Sequence, residues 1–267
     1  MKRRFPLAAA VVLVVLFIAS LAAPLLAPVS PSAIELAERL ESPSATHWMG
    51  TDELGRDVFS RMLFGGRTSL MVGFVAGLLA LLVGTVMGGL AGAFGSWVDW
   101  LISRLIEVVL AFPFLILLLV IVALVGPSVW SIIFALAVTG WVSEARFVRG
   151  EVLKLKESEF AHAARATGAG PVRTLFRHLL PGALPPAIVS AAFGIASAIL
   201  VESALSFLGF GVQLPRTSWG AILASGRLAI GTAWWLVLFP GLAIFLTVAS
   251  IHRLAQWLED HLATPGH

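Results

Sequence analysis

Long apolar runs with almost no charge alternate with polar islands along this chain. The runs cover residues 6–27, 68–94, 105–125, 128–143, 187–207 and 233–251. A helix crosses a hydrocarbon core of about 30 Å with about 20 apolar residues, and several of these runs meet or approach that length. Backbone polar groups have no water to bond in lipid, so spanning segments of this kind are expected as helices. The pattern predicts an all-α polytopic membrane protein with about six transmembrane helices. Its expected divisions are an N-terminal helix over 1–28, an outer loop ending in an interfacial helix over 29–67, a core of five spans over 68–255, and a tail over 256–267.

Local signals refine the layout. Lys2, Arg3 and Arg4 precede a first run that exceeds the roughly 7–15 residues of a signal-peptide core, which predicts an uncleaved helix with its N-terminus inside. Within the second run, Gly73, Gly77, Gly84, Gly88 and Gly92 recur at helical spacing and predict a packing stripe rather than a lipid-facing surface. Pro113 predicts a kink in the third run, whose start carries Glu107. Glu202 lies near Ser203 and Ser206 in the fifth run. An acid there should face other helices or water, so this trio lines a translocation path or packs between helices.

Composition agrees with the pattern: the 267 residues are 58% hydrophobic and 12% charged, with mean hydropathy +0.95. Net charge of +3 and a pI near 10.2 do not require a nucleic-acid partner. Twelve of the eighteen Lys and Arg fall in the segments that crossing order places on the N-terminal side. This bias puts both termini in the cytoplasm. With no cysteine there is no disulfide or thiolate chemistry to consider. None of the three lysines follows a glycine, so a phosphate-binding loop is missing, and the six histidines fall at no metal-binding spacing. Asp52, Glu53 and Asp57 in the outer loop lack the spacing of a calcium loop and are expected on a solvated segment. The expectation is a non-catalytic protein without a cofactor.

One charged, helix-forming island stands in the interior of the chain, at 146–182. Ser158 is placed to cap a short helix that begins at Glu159 and ends at Gly168; Pro171 starts a second helix that Pro181 is expected to stop. Phe160, Ala163, Ala164 and Thr167 share a face, an aromatic among small residues that would fit a partner's groove. A helix resting on lipid headgroups is the alternative, which Arg173 and Arg177 would serve equally well.

The segment with Ala163-Ala164, Gly168 and then His178-Leu179-Leu180-Pro181 resembles the EAA loop of binding-protein-dependent ABC importer permeases. Gly50 to Arg61, Ala111-Phe112-Pro113, Ala204 to Gln213 and Ser218-Trp219-Gly220 extend the likeness over nearly the whole chain. Together they are similar to the dipeptide/oligopeptide/nickel permease family, in its C-type subunit. The resemblance implies a type I importer permease fold in a bacterial or archaeal plasma membrane. It also implies a homologous second permease, two cytoplasmic ATP-binding subunits that hydrolyse ATP, and an extracytoplasmic solute-binding protein. ATPase coupling would fall on Glu159, Phe160, His162, Ala163, Ala164, Gly168, His178 and Pro181. His162 stands where the motif carries its glutamate. The competing class is a self-contained ion-coupled carrier or channel using Glu202 and Glu107.

Overall fold

The structure, a computed structural model, describes residues 5–262; Lys2, Arg3, Arg4 and the end of the tail lie outside the described residues. Asp57 starts the longest helix, α3 (Val58–Phe94), by accepting the Ser60 N–H at 2.7 Å, while α1 (Leu7–Leu21) and α2 (Ala23–Leu26) precede it. The interfacial helix expected near 57–65 and the span expected from 68 are thus one continuous rod. Gly65 and Gly66 do not break it, because each lies tight against neighbours: a Cβ would meet the Ser218–Trp219 backbone at the first and the Ser20 hydroxyl at the second.

The glycine stripe of α3 seats two different helices. A Cβ at Gly73 or Gly77 would lie 2.5 or 2.4 Å from Ile199 or Ile195 of the helix Leu180–Phe207, whereas at Gly84, Gly88 and Gly92 it would lie 2.4, 2.3 and 2.8 Å from Glu144, Ala145 and Val152 of the helix Val129–Lys156. Bare backbone lets both neighbours approach to contact. Between these elements Val72, Leu118, Val122, Ile132 and Leu205 form a fully buried core.

The expected kink is a break. α4 (Ser96–Leu110) and α5 (Phe114–Val125) meet at 86°, since Pro113 lacks an N–H and drives the residue before it out of helical conformation. The turn expected at 95–100 contracts to Gly95, at φ +58°, with Trp97 and Trp100 already inside α4. α6 (Val129–Lys156) begins at a Ser128–Ser131 capping box and runs well beyond residue 143. Its Arg149 grips Asp99 of α4 through two hydrogen bonds of 2.6 Å.

After α7 (Glu159–Ala166) and α8 (Pro171–Thr174), the chain departs from expectation again. Pro181 does not stop the helix: a π-turn over Leu175–Leu179 leads straight into α9 (Leu180–Phe207), and Pro171–Phe207 forms a single span of 37 residues. The Leu180 N–H bonds the Leu175 carbonyl, five residues back, so the ladder has slipped by one residue before the proline ring arrives. Pro181 then occupies the first turn of α9, where its missing N–H is tolerated. Pro185 and Pro186 lie inside α9 rather than before it.

α10 (Trp219–Ser225) is a short helix packed on α9 and α11 (Trp235–Leu262). By length and composition α3, α6, Pro171–Phe207 and α11 can each cross a membrane, the bent α4–α5 pair makes a fifth when its two halves are taken as one broken span, and α1 is a shorter apolar helix beside α3 and α11.

Candidate functional site

The charged island folds as expected at its first helix. Ser158 accepts the Ala161 N–H at 3.4 Å and donates to the Leu155 carbonyl at 2.6 Å, which starts α7 against the end of α6. Gly168, at φ +86°, ends the segment, and the Ala169 N–H returns to the Ala164 carbonyl at 3.1 Å. Few side chains but glycine adopt that conformation without strain. Ala161 is the buried residue of α7 and packs with Val148, Val152, Leu175 and Leu179. Glu159, Phe160, His162, Ala163 and Gly168 are exposed, and Ala164 is half-buried.

Phe160 meets His178 edge-on at 5.1 Å, so the aromatic of α7 and the histidine of the π-turn come together. Pro181, exposed, follows one turn later. Val172 and Phe176, which sequence reasoning did not single out, share a second uncovered patch with Arg173 and Arg177: Phe160, Val172 and Phe176 are 58%, 57% and 57% exposed. The signal for Val172 and Phe176 is their four-residue spacing on the helix that starts at Pro171, beside the arginines at 173 and 177. His162 Nε2 lies 3.9 Å from the Glu157 carboxylate.

Glu202 is fully buried. Ser206 donates to its Oε1 at 2.7 Å and Ser69 of α3 to its Oε2 at 3.1 Å, and the Ser69 oxygen also accepts the Trp219 N–H at 3.1 Å. Ser203 donates to its own helix, at the Ile199 carbonyl. These bonds tie α3, α9 and α10 together. Glu107 lies on an exposed face of α4, paired with Arg104.

The fourth apolar run ends at residue 143, one position before Glu144. Because α6 continues to Lys156, Glu144 lies within the helix and is 4% exposed. It borders a cavity of about 190 Å³ between α3, the α4–α5 break, α6 and α9. Ser190 of α9 donates to its Oε1 at 3.2 Å. Neither Glu202 nor Glu107 lines that cavity.

Around Asp52 the segment expected on the outer side is a hydrogen-bonded clasp, not the solvated loop expected there. Asp52 is fully buried: its Oδ1 accepts the Leu54 and Arg56 N–H groups at 2.8 and 3.0 Å, and its Oδ2 accepts Arg56 Nε at 2.7 Å and Arg61. Trp235 Nε1 reaches the Thr51 carbonyl at 3.0 Å, which ties the clasp to α11. His47 stands between two acids, with Nδ1 3.0 Å from Asp57 and Nε2 3.0 Å from Glu38. The bond to Asp57, aided by Glu38, raises the imidazole pKa above its ordinary 6.5 against a smaller opposing effect of burial. Among the described residues no group of three or more His, Cys, Asp or Glu could hold a metal ion.

A bundle of spanning helices with an internal cavity, and with an exposed helical pair that continues into one span, has the build of a membrane transport subunit. Residues 84–264 match the family described as binding-protein-dependent transport system inner membrane component. The dipeptide transport system permease protein DppC of Alkalihalophilus pseudofirmus is 41% identical over 261 residues, covering 98% of this chain and 86% of that protein. DppC of Bacillus subtilis is 41% identical over 98% of this chain and 82% of its own length, and the probable D,D-dipeptide transport system permease protein DdpC of Escherichia coli is 38% identical over 95% and 85%.

Among solved structures, the inward-facing MetNI methionine ABC transporter shares the fold at TM-score 0.56 and 21% identity, over 73% of this chain and 94% of that one. An amino acid ABC transporter shares it at TM-score 0.55 and 16% identity, over 72% and 90%. The chain belongs to the binding-protein-dependent transport system inner membrane component family. It is a transmembrane permease subunit of an ABC importer, which sets aside the self-contained carrier.

Proposed function

We propose that this permease moves peptides or related small solutes, and that α7 with α8 is where partner ATPases drive it. The relatives named as dipeptide permeases support the cargo class. The observation that carries the coupling site is the exposure of Phe160, Val172 and Phe176 on a helical pair whose second member continues into the span Pro171–Phe207. A partner seated there pushes directly on a membrane helix. The full assembly is a heterodimer with a second, homologous permease, two ATP-binding subunits on the cytoplasmic side, and an extracytoplasmic solute-binding protein. Both termini and α7 face the cytoplasm, in keeping with the excess of Lys and Arg there. Glu159, His162, Ala163 and Ala164 shape the docking helix, Gly168 sets its turn, His178 buttresses Phe160, and Pro181 begins the helix that receives the motion. Glu202, Ser203 and Ser206 serve helix packing, since the carboxylate is shared between two serine donors and buried away from the cavity.

Gly168→Val tests the coupling site. A β-branched residue at φ +86° forces the turn to move. Strain of about 1–3 kcal/mol at such a position corresponds to roughly ten- to hundredfold in a coupling equilibrium. Reconstituted importer should keep the subunit inserted and ATP hydrolysis running while ATP-driven uptake falls by about that factor. Unchanged uptake sinks the assignment.

A further inference from the structure

Glu144 is buried with a free oxygen. Oε1 accepts from Ser190, whereas Oε2 is buried without any hydrogen-bond partner, although the residue lines the cavity at the α4–α5 break. Glycines make the room: a Cβ on Gly84 would come 2.4 Å from Glu144 Cβ, and one on Gly194 would come 3.4 Å from Oε1. Ser143 of α6 and Ser197 of α9, both exposed, also line the cavity. An unsatisfied carboxylate oxygen inside a membrane bundle is costly and characteristically faces a partner or a solute path.

We infer that Glu144 forms a binding site for the primary ammonium group at the amino terminus of a transported peptide, an inference that rests on the peptide-importer reading above. The chemistry of the site selects this group from other cations. A calcium or magnesium ion needs about six oxygen ligands, and this cavity offers one carboxylate with a few hydroxyls. A guanidinium binds best through both oxygens of a carboxylate, and Oε1 is already engaged by Ser190. An ammonium is a compact point charge that one oxygen and neighbouring hydroxyls can hold. At about 190 Å³ the cavity is smaller than the roughly 300–1,000 Å³ of a pocket that encloses a drug-sized ligand, so it takes the amine-bearing end of a peptide and not its whole length.

The chain has no cysteine, so Ser197→Cys supplies a single reporter thiol in the cavity of this subunit. In the whole importer, with cysteine-free partners, its rate of modification by aminoethyl methanethiosulfonate is compared with that by the neutral ethyl reagent, each normalised to a free thiol. The charged reagent should be preferred by about tenfold or more, the scale of a charge-assisted hydrogen bond, and Glu144→Gln should abolish the preference. Dialanine should slow labelling and N-acetyl-dialanine should not. If the amide variant does not assemble, Glu144→Asp provides the same comparison with a partial loss. Equal preference in the glutamate and variant proteins, equal protection by both peptides, or no reaction with either reagent overturns the inference. ATP-driven dialanine uptake by the unmodified importer is measured alongside: its absence refutes the peptide reading itself, while uptake with any of those three results refutes only the role of Glu144.

Discussion

Two of the polar islands between the apolar spans, the one around Asp52 and the one after α6, are finished in opposite ways. In the clasp, Asp52 and Asp57 are buried and their oxygens are shared among Arg56, Arg61, His47 and backbone N–H groups of the same segment. In the island after α6, charged side chains lie outside and apolar ones lie beside them uncovered, with Phe160 and Phe176 both more than half exposed. The clasp answers most of its buried charge from within, though Arg61 Nε and Ser60 Oγ are buried without a partner and Trp48 stays exposed, whereas the island buries none of its acids and leaves Phe160, Val172 and Phe176 bare beside its charges. The difference is not legible in charge content. It lies in whether the partners of each charge are supplied from within.

That contrast can be broken most severely at Asp52. Asp52→Ala leaves Arg56 and Arg61 buried without their shared acid, and removing one partner of a buried ion pair costs about 3–5 kcal/mol. Thermal unfolding of the purified complex should show a large drop in the midpoint, while an unchanged midpoint would mean that the clasp is not a closed unit. His47 offers a gentler probe. Its pKa is raised in the folded protein, so the stabilisation from the imidazolium is complete below the ordinary value near 6.5 and disappears as pH rises through the raised folded value. The unfolding midpoint of the native protein should therefore fall across that window relative to His47→Gln, and parallel pH profiles would remove the imidazolium from the clasp. The smallest effect is expected in the open island. His162→Glu alters an exposed side chain, and exposed ion pairs contribute about 0–1 kcal/mol, so ATPase association should be kept or slightly tightened. Complete loss of assembly would show a partner groove built around the imidazole.

The spans, the glycine stripe and the first helix of the island are legible in the sequence because each rests on a periodicity of apolar or small residues that tertiary contacts reinforce. Proline misleads in one place and informs in another. Pro113 interrupts its run where expected, though as a break of 86° rather than a kink, with nothing upstream to absorb the lost hydrogen bond, whereas Pro181 follows a π-turn that has already shifted the ladder. The buried state of Asp52 depends on Arg61 and on Thr217, far along the chain, and no local pattern announces such an encounter. Glu144 is hidden for a related reason: its helix continues past the end of the apolar run, so a residue just beyond that run is internal.

The slipped register at Leu175–Leu179 gives the span from Pro171 to Phe207 a property that an unbroken helix lacks. At about 1.5 Å per residue the rod is roughly 55 Å long, and its fault lies close to the end that carries Val172 and Phe176. Helices bend where the ladder is interrupted, so the short arm can change its angle without tearing bonds along the long one. The rod is therefore an oar with its rowlock near the handle: a small swing at the exposed end is carried, past the further gaps in the ladder at Pro185 and Pro186, to the Glu202 end deep in the bundle.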